Sequence, residues 1–477
     1  MIRIGSSEQF ATVRSFLLES YGDDFNPIAD RVGDFNPEKH QDEPALIRMF
    51  FLGRAISPAD WEGAASESVR KACEELGLIE PASDGRIRSS VLLYRTHGVY
   101  VTSDRFMTDE GQVGRPAEDC VYYALTDTAN HYLYSLPRDK GGVMLDMGTG
   151  SGVAALMLAS SAEKVYATDI LPRCVLFTEF NRQLNGIENV EVLAGSLYEP
   201  VENVKFDLIT CHPPFDMSLS SKKYIYADGG EDGEFVLRGL IQGLPKMLNR
   251  GGQFIGSTRA TDRKDGNIEE RMRRWLGDDH AEFDIAVVVR SVIKPEEHSI
   301  SASMLAKQNL DDYQMYMDHF NRLGAVRLPY VHILIERKAQ GQPVTMRRDI
   351  GLRCTAYEME AMLGWERAKP ALSLAGTRLA PSPHMELRVR HKLAKGEVTP
   401  IEYAFAVEHP FREEQPVPEW VAKLAALCIG DRTTEQVYAL MREEYPIPLA
   451  DFESALKRLI SMGVVQFTPA GASALKS

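Results

Sequence analysis

The chain has 477 residues, enough for two or three domains that each bury a core. Its hydrophobic fraction of 44% and charged fraction of 26% are ordinary for globular proteins and argue against wholesale disorder. The net charge of −14 disfavours a nonspecific binder of nucleic acid or membranes, because such a protein needs a basic surface.

The six cysteines are scattered, without the CxxC or Cys/His spacing of a zinc site or disulfide framework. The amino terminus lacks the apolar region of a signal peptide, and no apolar stretch is long enough to span a bilayer. We therefore expect a cytoplasmic protein with free thiols, no metal site and no membrane partner.

Residues 1–100 predict an accessory domain of helices followed by a short hairpin. A turn at residues 83–85 precedes two strand-like runs, residues 86–94 and 98–102. This order is winged-helix-like, and the mixed charge favours an accessory packing role over DNA binding.

Residues 101–342 predict an α/β domain with a parallel, doubly wound sheet. Helical stretches separate short apolar runs of strand length. These five runs are residues 143–146, 164–169, 190–194, 206–211 and 253–257. Two further strands, residues 284–293 and 330–338, flank a helical insertion at about residues 301–323. The pattern fits a Rossmann-like, seven-stranded sheet.

Residues 343–477 predict a second accessory domain. Residues 371–407 alternate in strand fashion, and the proline-rich residues 414–418 break the chain. Three helices and a short strand follow, at residues 419–429, 434–444, 449–462 and 464–467. The order is again winged-helix-like, but the last helix offers only Lys457 and Arg458 as adjacent cations, which disfavours DNA reading.

A glycine turn follows the first strand of the central domain. Asp146 ends that strand, and Gly148, Gly150 and Gly152 come next at alternate positions, before a helix. Glycines at a strand-to-helix turn let a cofactor approach the backbone closely. The GxGxG spacing after an acid differs from the GxGxxG of dinucleotide sites and favours S-adenosylmethionine over NAD.

Acids and polar residues at the next strand ends complete the predicted cofactor site. Asp146 can meet the amino-acid end of the cofactor, and Asp169 can accept both ribose hydroxyls. Either acid alone could instead be a helix-capping residue. The predicted cofactor-binding residues are Asp146, Gly148, Thr149, Gly150, Gly152, Asp169, Ile170, Ser196, Leu197 and His212.

Residues 142–256 resemble the class I S-adenosylmethionine-dependent methyltransferases, in the branch with an Asn-Pro-Pro-Tyr/Phe motif. That branch includes release-factor glutamine methyltransferases and ribosomal RNA guanine-N2 methyltransferases. The run YADGGEDG at residues 226–233 resembles the glutamine methyltransferases in particular. The resemblance implies an S-adenosylmethionine cofactor held by the glycine turn, Asp146 and Asp169.

The motif after the fourth strand reads His212-Pro213-Pro214-Phe215 and departs from the family at its first residue. In the family an Asn, Asp or Ser oxygen and the next carbonyl accept hydrogen bonds from a planar amine, while the aromatic ring stacks on it. His212, Pro213 and Phe215 are thus the predicted catalytic residues. A neutral His212 can accept such a hydrogen bond, or it can act as a general base. In a third reading it is structural and methyl transfer is lost.

Segments beside the motif carry weaker signals. Residues 216–232, with Tyr224 and Tyr226, form a candidate lid or a solvated loop. Arg115 and Glu118 are placed near the cofactor, and His298 and His332 are read as structural.

The sequence as a whole predicts an S-adenosylmethionine-dependent methyltransferase that acts on a planar amide or amine nitrogen. A protein or peptide acceptor, or a small molecule, is favoured over nucleic acid. Three alternatives stay open: an O-methyltransferase of a small metabolite with His212 as base, a ribosomal RNA guanine-N2 methyltransferase, and a non-catalytic S-adenosylmethionine-binding regulator.

Overall fold

The structure is a computed structural model that divides into two compact units, Met1–Arg353 and Cys354–Ser477. It describes residues 1–21, 43–105, 108, 117–217, 219, 224–305, 310–338, 340–351, 353–383, 385–407 and 413–468. None of the helices in these ranges combines the length and the hydropathy of a membrane span.

The first unit alternates helices and strands along the chain. Its strands are β1 (Ile79–Pro81), β2 (Ile87–Ser89), β3 (Val91–Thr96), β4 (Val99–Asp104), β5 (Val143–Met147), β6 (Lys164–Asp169), β7 (Val190–Ala194), β8 (Phe206–Cys211), β9 (Leu248–Arg259), β10 (Asp262–Arg263), β11 (Phe283–Ile293), β12 (Ala325–Arg337) and β13 (Thr345–Asp349). Its α-helices are α1 (Ser7–Tyr21), α2 (Pro58–Ala64), α3 (Glu67–Glu75), α4 (Asp127–Ser135), α5 (Val153–Leu158), α6 (Pro172–Asn185), α7 (Phe235–Met247), α8 (Ile268–Trp275), α9 (Pro295–Leu305) and α10 (Leu310–Leu323). A π-helical turn spans Ile47–Phe51, and 3₁₀ turns span Glu199–Val201 and Gly277–Glu282.

A large sheet orders the strands as β13-β11-β12-β9-β8-β5-β6-β7, and among the described residues β10 brings it to nine strands by pairing with β12. The five strands β5 to β9 run parallel, whereas β12 is antiparallel to both of its neighbours. Phe206, Leu208 and Ile209 of β8 are fully buried, as expected for a parallel strand covered by helices on both faces. The predicted Rossmann-like sheet is confirmed, with all seven predicted strands present.

The edge strand β13 shifts the boundary of this unit away from the predicted residue 342. Arg347 on β13 donates two hydrogen bonds to Asp262, at 2.8 and 3.0 Å, and one to Glu269 at 3.1 Å. Its sequence, TMRRD, is polar and largely half-exposed, so no apolar pattern marks it as a strand. The ion pairs tie residues 345–349 to the sheet rather than to the carboxyl-terminal domain.

The amino-terminal helices share a core with α6 rather than forming a separate body. The ring of Phe10 on α1 meets Phe180 on α6 edge-to-face, with centroids 4.9 Å apart. Arg14 donates to the carbonyls of Gln183 and Leu184, at 3.4 and 3.3 Å, where α6 ends. The apolar face of α1 is buried on α6, so residues 1–100 belong to the same compact unit as the sheet.

The second unit has its own core. Its helices and strands are α11 (Ala356–Ala368), β14 (Leu379–Pro381), β15 (Met385–Ala394), β16 (Glu397–Val407), β17 (Glu413–Val417), α12 (Glu419–Leu427), α13 (Thr434–Glu444), α14 (Leu449–Ser461) and β18 (Val465–Phe467). The predicted proline-rich break is strand β17, which pairs with β16 at the edge of its sheet. An edge strand tolerates Pro416 because the missing N–H is not needed there. Helix α11, not predicted, begins with a capping box between Thr355 and Glu358.

Candidate active site

The glycine turn between β5 and α5 holds three left-handed backbone conformations. Gly148, Gly150 and Gly152 have φ angles of +67°, +59° and +83°, where glycine is strongly preferred. A Cβ at Gly148 or Gly150 would point into open space, whereas at Gly152 it would lie 2.7 Å from the Thr178 methyl group. The first two glycines therefore leave room for a ligand, and the third lets α5 pack against α6.

Asp146 holds the turn from inside. Its carboxylate is 2% exposed and accepts hydrogen bonds from the Thr149 hydroxyl at 2.6 Å and the Ala155 N–H at 3.2 Å. The hydroxyls of Tyr132 and Thr210 donate to its other oxygen, at 3.3 and 3.2 Å. Burial raises the pKa of Asp146 to about 6. These contacts make Asp146 a residue that shapes the turn and caps α5.

Asp169 and Ile170 lie at the carboxyl end of β6. Asp169 accepts from the Gly150 and Leu171 N–H groups, each at 2.9 Å, and burial raises its pKa. Each carboxylate oxygen retains further acceptor capacity. Ile170 is 61% exposed, which is unusual for a large apolar side chain next to a buried acid. The pair offers an acceptor and an apolar platform side by side.

The other predicted cofactor residues lie at the same edge. Thr149 is buried, with its hydroxyl used by Asp146. Ser196 forms a turn with Glu199, whose N–H donates to the Ser196 carbonyl at 3.0 Å. Leu197 has a φ of +48°. This left-handed backbone conformation is rare for residues other than glycine, and where it occurs it often marks a binding site.

Asn181 ties the turn to the amino-terminal hairpin, a link that the sequence analysis missed. Its amide donates to the Ser151 carbonyl at 2.8 Å and the Thr102 carbonyl at 3.1 Å. The Thr102 N–H and hydroxyl donate back to it at 2.8 and 2.7 Å. The amino-terminal segment therefore braces the cofactor turn.

Three elements converge on His212 just beyond β8. The ring of Tyr132 from α4 stacks on the imidazole, with centroids 5.3 Å apart and planes 15° apart. The hydroxyl of Tyr330 from β12 lies 3.1 Å from Nε2 of His212. The ring centroid of Phe215 lies 6.0 Å from that of His212 and 6.1 Å from that of Tyr330, which it meets edge-to-face. Pro213 is buried between these ends of the motif. Neither tyrosine has a motif that predicts its place.

The hydrogen bonds assign the protons of His212. Tyr330 has one hydroxyl proton and donates it to the Thr128 carbonyl, 3.3 Å away, which can only accept. Both contacts are hydrogen bonds only when the Tyr330 oxygen accepts from His212, and in that arrangement Nε2 carries the hydrogen. Burial lowers the pKa of His212 to about 4, so the ring is neutral at pH 7. Nδ1 therefore keeps a lone pair, one bond from Cγ, where asparagine has its oxygen.

The YADGGEDG run at residues 226–233 packs closely against the backbone of Phe215. A Cβ at Gly233 would lie 2.7 Å from the Phe215 carbonyl, and one at Gly229 would lie 2.8 Å from the Phe215 Cα. The Asp216 N–H donates to the Ala227 carbonyl at 2.8 Å. The glycines let the loop pass directly over the motif, so the run holds Phe215 in place.

The candidate lid is attached to the segment before the core. The Ile225 N–H donates to the Glu118 carbonyl at 3.1 Å, and the rings of Tyr122 and Tyr226 stack at 4.8 Å. Glu118 thus lies beside the lid, and Arg115 falls outside the described residues. His332 is fully buried and hydrogen-bonded to Ser257 at 2.6 Å.

Sequence comparison decides the family. A profile described as methyltransferase small domain matches residues 123–258. The chain is 33% identical over 240 residues to a release factor glutamine methyltransferase of Moorella thermoacetica, which covers 47% of this chain and 82% of that relative. The chain belongs to the class I S-adenosylmethionine-dependent methyltransferases. The predicted family, enzyme class and S-adenosylmethionine cofactor are thereby confirmed.

Two further relatives of this methyltransferase match over shorter stretches. A release factor glutamine methyltransferase of Thermodesulfovibrio yellowstonii is 31% identical over 130 residues, 24% of this chain and 47% of that relative. A ribosomal protein L11 methyltransferase of Streptococcus pneumoniae is 32% identical over 120 residues, 24% of this chain and 37% of that relative. Both alignments span less than half of the relative.

The residues of the methyltransferase turn fit the cofactor of the family. The open space at Gly148 and Gly150 is the kind of gap that a ligand fills, and the exposed face of Ile170 suits a planar adenine. Asp169 keeps acceptor capacity for ribose hydroxyls.

Proposed function

We propose that the enzyme methylates a planar amide or amine nitrogen and that His212 replaces the family asparagine as hydrogen-bond acceptor. The observation that carries this proposal is the Thr128–Tyr330–His212 chain of hydrogen bonds, which leaves Nδ1 unprotonated. An N–H of the acceptor can donate to that lone pair. The proposal accounts for a histidine at a position where the family has Asn, Asp or Ser.

S-adenosylmethionine supplies an electrophilic methyl group on a cationic sulfur. We propose that it is held by Gly148, Gly150, Asp169, Ile170 and the turn at residues 196–197. Asp146 and Thr149 shape that site from behind, and their contact with the cofactor is through the turn they hold.

The motif residues orient the acceptor nitrogen. His212 Nδ1 accepts one N–H, the Pro213 carbonyl is the proposed second acceptor, and the Phe215 ring stacks on the planar group. Rigid prolines fix the direction of these groups. An amide nitrogen has a delocalised, weak lone pair, so alignment with the methyl group supplies most of the rate enhancement. The neutral imidazole also avoids placing a second positive charge near a sulfonium.

The alternative with His212 as general base is less well supported. A base works best when its pKa lies near the working pH. Burial lowers the pKa of His212 to about 4, which makes it a weak base at pH 7. Its ordered hydrogen bond to Tyr330 also fits a fixed acceptor better than a group that collects and releases protons.

We favour a protein or peptide acceptor. The named relatives act on a release factor or a ribosomal protein. The net charge of −14 weighs against a polyanionic RNA acceptor.

We also propose a cytoplasmic location, where the free, buried cysteines of the described residues would stay reduced.

Two substitutions at one position test the proposal. His212→Asn restores the family residue and should keep or raise turnover, whereas His212→Phe keeps a flat ring against Tyr132 but removes the acceptor. We expect the phenylalanine variant to lose about 10²-fold in kcat with unchanged affinity for S-adenosylhomocysteine. Turnover is measured by transfer of a radiolabelled methyl group at saturating cofactor.

The pH profile separates acceptor from base. With His212 as hydrogen-bond acceptor, the pH profile of kcat has no acid limb near pH 6.5, the ordinary pKa of a histidine. An inactive His212→Asn together with such a limb in the native enzyme would identify a general base instead. If no lysate fraction contains a nitrogen acceptor that the enzyme methylates, the proposal is wrong.

A further inference from the structure

Arg259 ends strand β9 beside the catalytic motif. The carbon of its guanidinium group lies 5.4 Å from the centroid of the Phe215 ring. Across the part of the chain that the structure describes, this guanidinium makes no hydrogen bond and no ion pair. A half-buried guanidinium has five donors, so a lone cation–π contact leaves most of them unused.

Neighbouring arginines differ because they are neutralised. Arg290 forms an ion pair with Asp127 and lies over the Tyr330 ring at 5.6 Å. Arg263 pairs with Asp232 at 3.2 Å and Glu234 at 3.0 Å. Arg290 and Arg263 thus each have a carboxylate partner, whereas Arg259 has none among the described residues.

The charge of Arg259 also acts on the carboxyl group of Asp216. Burial raises the pKa of Asp216, and the charge of Arg259 opposes that shift. The two groups nevertheless form no ion pair within 4.0 Å, and the Asp216 backbone is fixed by Ala227 and Gly229. The guanidinium therefore faces the motif with its donors available.

We propose that Arg259 binds an anionic group of the methyl acceptor, a carboxylate or a phosphate that neighbours the methylated nitrogen. The inference rests on the proposed function and adds to it the substrate class, an amide or amine in an acidic context. A guanidinium presents paired N–H groups that match the oxygens of either anion.

The proposed anion site and the proposed acceptor site share the Phe215 ring. Phe215 stacks on the planar group of the acceptor in the proposed function, and the same ring lies beneath Arg259. We therefore expect Arg259 to bind an anionic group on a residue that neighbours the methylated side chain. In a protein of net charge −14, an acidic acceptor needs such a local cation to approach.

The test compares three peptide libraries of equal length with a central glutamine. The flanking positions carry serine, glutamate or phosphoserine, so the neutral, carboxylate and phosphate arms are matched. Methyl transfer is measured with radiolabelled S-adenosylmethionine, and peptide binding to the enzyme saturated with S-adenosylhomocysteine is measured by fluorescence anisotropy.

The variants isolate the charge of Arg259. Arg259→Gln removes it, Arg259→Lys keeps it without the planar fork, and Arg250→Gln removes a charge at the far end of the same strand, where Arg250 pairs with Glu282 at 3.0 Å. Affinity for S-adenosylhomocysteine checks that each variant is folded.

We expect the native enzyme to favour one acidic library by about tenfold over serine in both binding and kcat/KM. Arg259→Gln should abolish the preference, Arg259→Lys should keep part of it, and Arg250→Gln should leave it unchanged. Equal use of all three libraries, or an acidic preference that survives Arg259→Gln, would overturn the inference while the proposed function stands. No transfer to any library by the native enzyme would overturn both.

Discussion

Replacing Tyr330 with phenylalanine tests how the proton of His212 is placed. The change removes the hydroxyl that accepts from Nε2, 3.1 Å away, and leaves the ring that meets Phe215. A hydrogen bond of this kind contributes about 1 kcal/mol net, which corresponds to about a fivefold ratio between the two neutral tautomers. We therefore expect the fraction with a hydrogen on Nδ1 to rise by about that factor.

The activity should follow the tautomer. A hydrogen on Nδ1 would face the N–H of the acceptor, and two donors cannot bond. Because a bound acceptor selects the productive tautomer, the loss in kcat/KM cannot exceed the tautomer shift, and we expect a fall of at most about fivefold. The protein should otherwise stay folded, since the buried ring of Tyr330 is kept.

The assay is nitrogen NMR of the enzyme labelled in its histidine rings, in which protonated and unprotonated nitrogens resonate far apart. The His212 signals are assigned by their absence from His212→Asn. Tyr132→Phe is the matched control, because its hydroxyl bonds to Asp146 while its ring stacks on His212. A native His212 protonated at Nδ1, or a tautomer ratio that Tyr330→Phe leaves unchanged, would show that Tyr330 does not place the proton of His212.

Other predictions concern the cofactor turn. Gly150→Ala should weaken S-adenosylhomocysteine binding in calorimetry, because its Cβ enters the open space and the left-handed backbone costs about 1–2 kcal/mol. Gly152→Ala should instead lower the melting temperature through its clash with Thr178; an unchanged temperature would contradict this packing. Lowering the pH through about 6 protonates Asp146, so S-adenosylhomocysteine affinity should fall there, and Asp146→Asn should abolish that dependence. Folding raises the pKa of Asp146 from 3.8 to about 6, because ionisation is less favourable in the folded protein than in the unfolded chain. The contribution of this carboxyl to the free energy of unfolding therefore falls as the pH rises from about 4 to about 6.

The sheet was predictable because its strands are buried on both faces. Apolar runs such as residues 206–211 stand out in the sequence, and three strands match to the residue. Strand β13 could not be found this way, since it is held by the ion pairs of Arg347 at an edge. The proline-rich strand β17 was missed because proline usually marks a break, and its edge position is a tertiary fact.

The site was predictable where spacing carries the chemistry. The glycine turn, Asp169 and the motif at residues 212–215 are local patterns, so their place followed from the strand order. Tyr132 and Tyr330 lie far from the motif in sequence and reach it only through α4 and β12, so no local signal names them. The role of Asp146 was left open by the sequence, and its contacts with Thr149 and Ala155 favour a structural one.

The position of the transferred methyl group distinguishes methylation of nitrogen from methylation of oxygen. The enzyme is incubated with S-adenosylmethionine carrying a heavy-isotope methyl group and with lysate proteins, which are then digested and fragmented in a mass spectrometer. We expect a heavy methyl on an amide or amine nitrogen, where it survives mild alkali. A label confined to oxygen, lost in alkali as a methyl ester or retained as an ether, would contradict it.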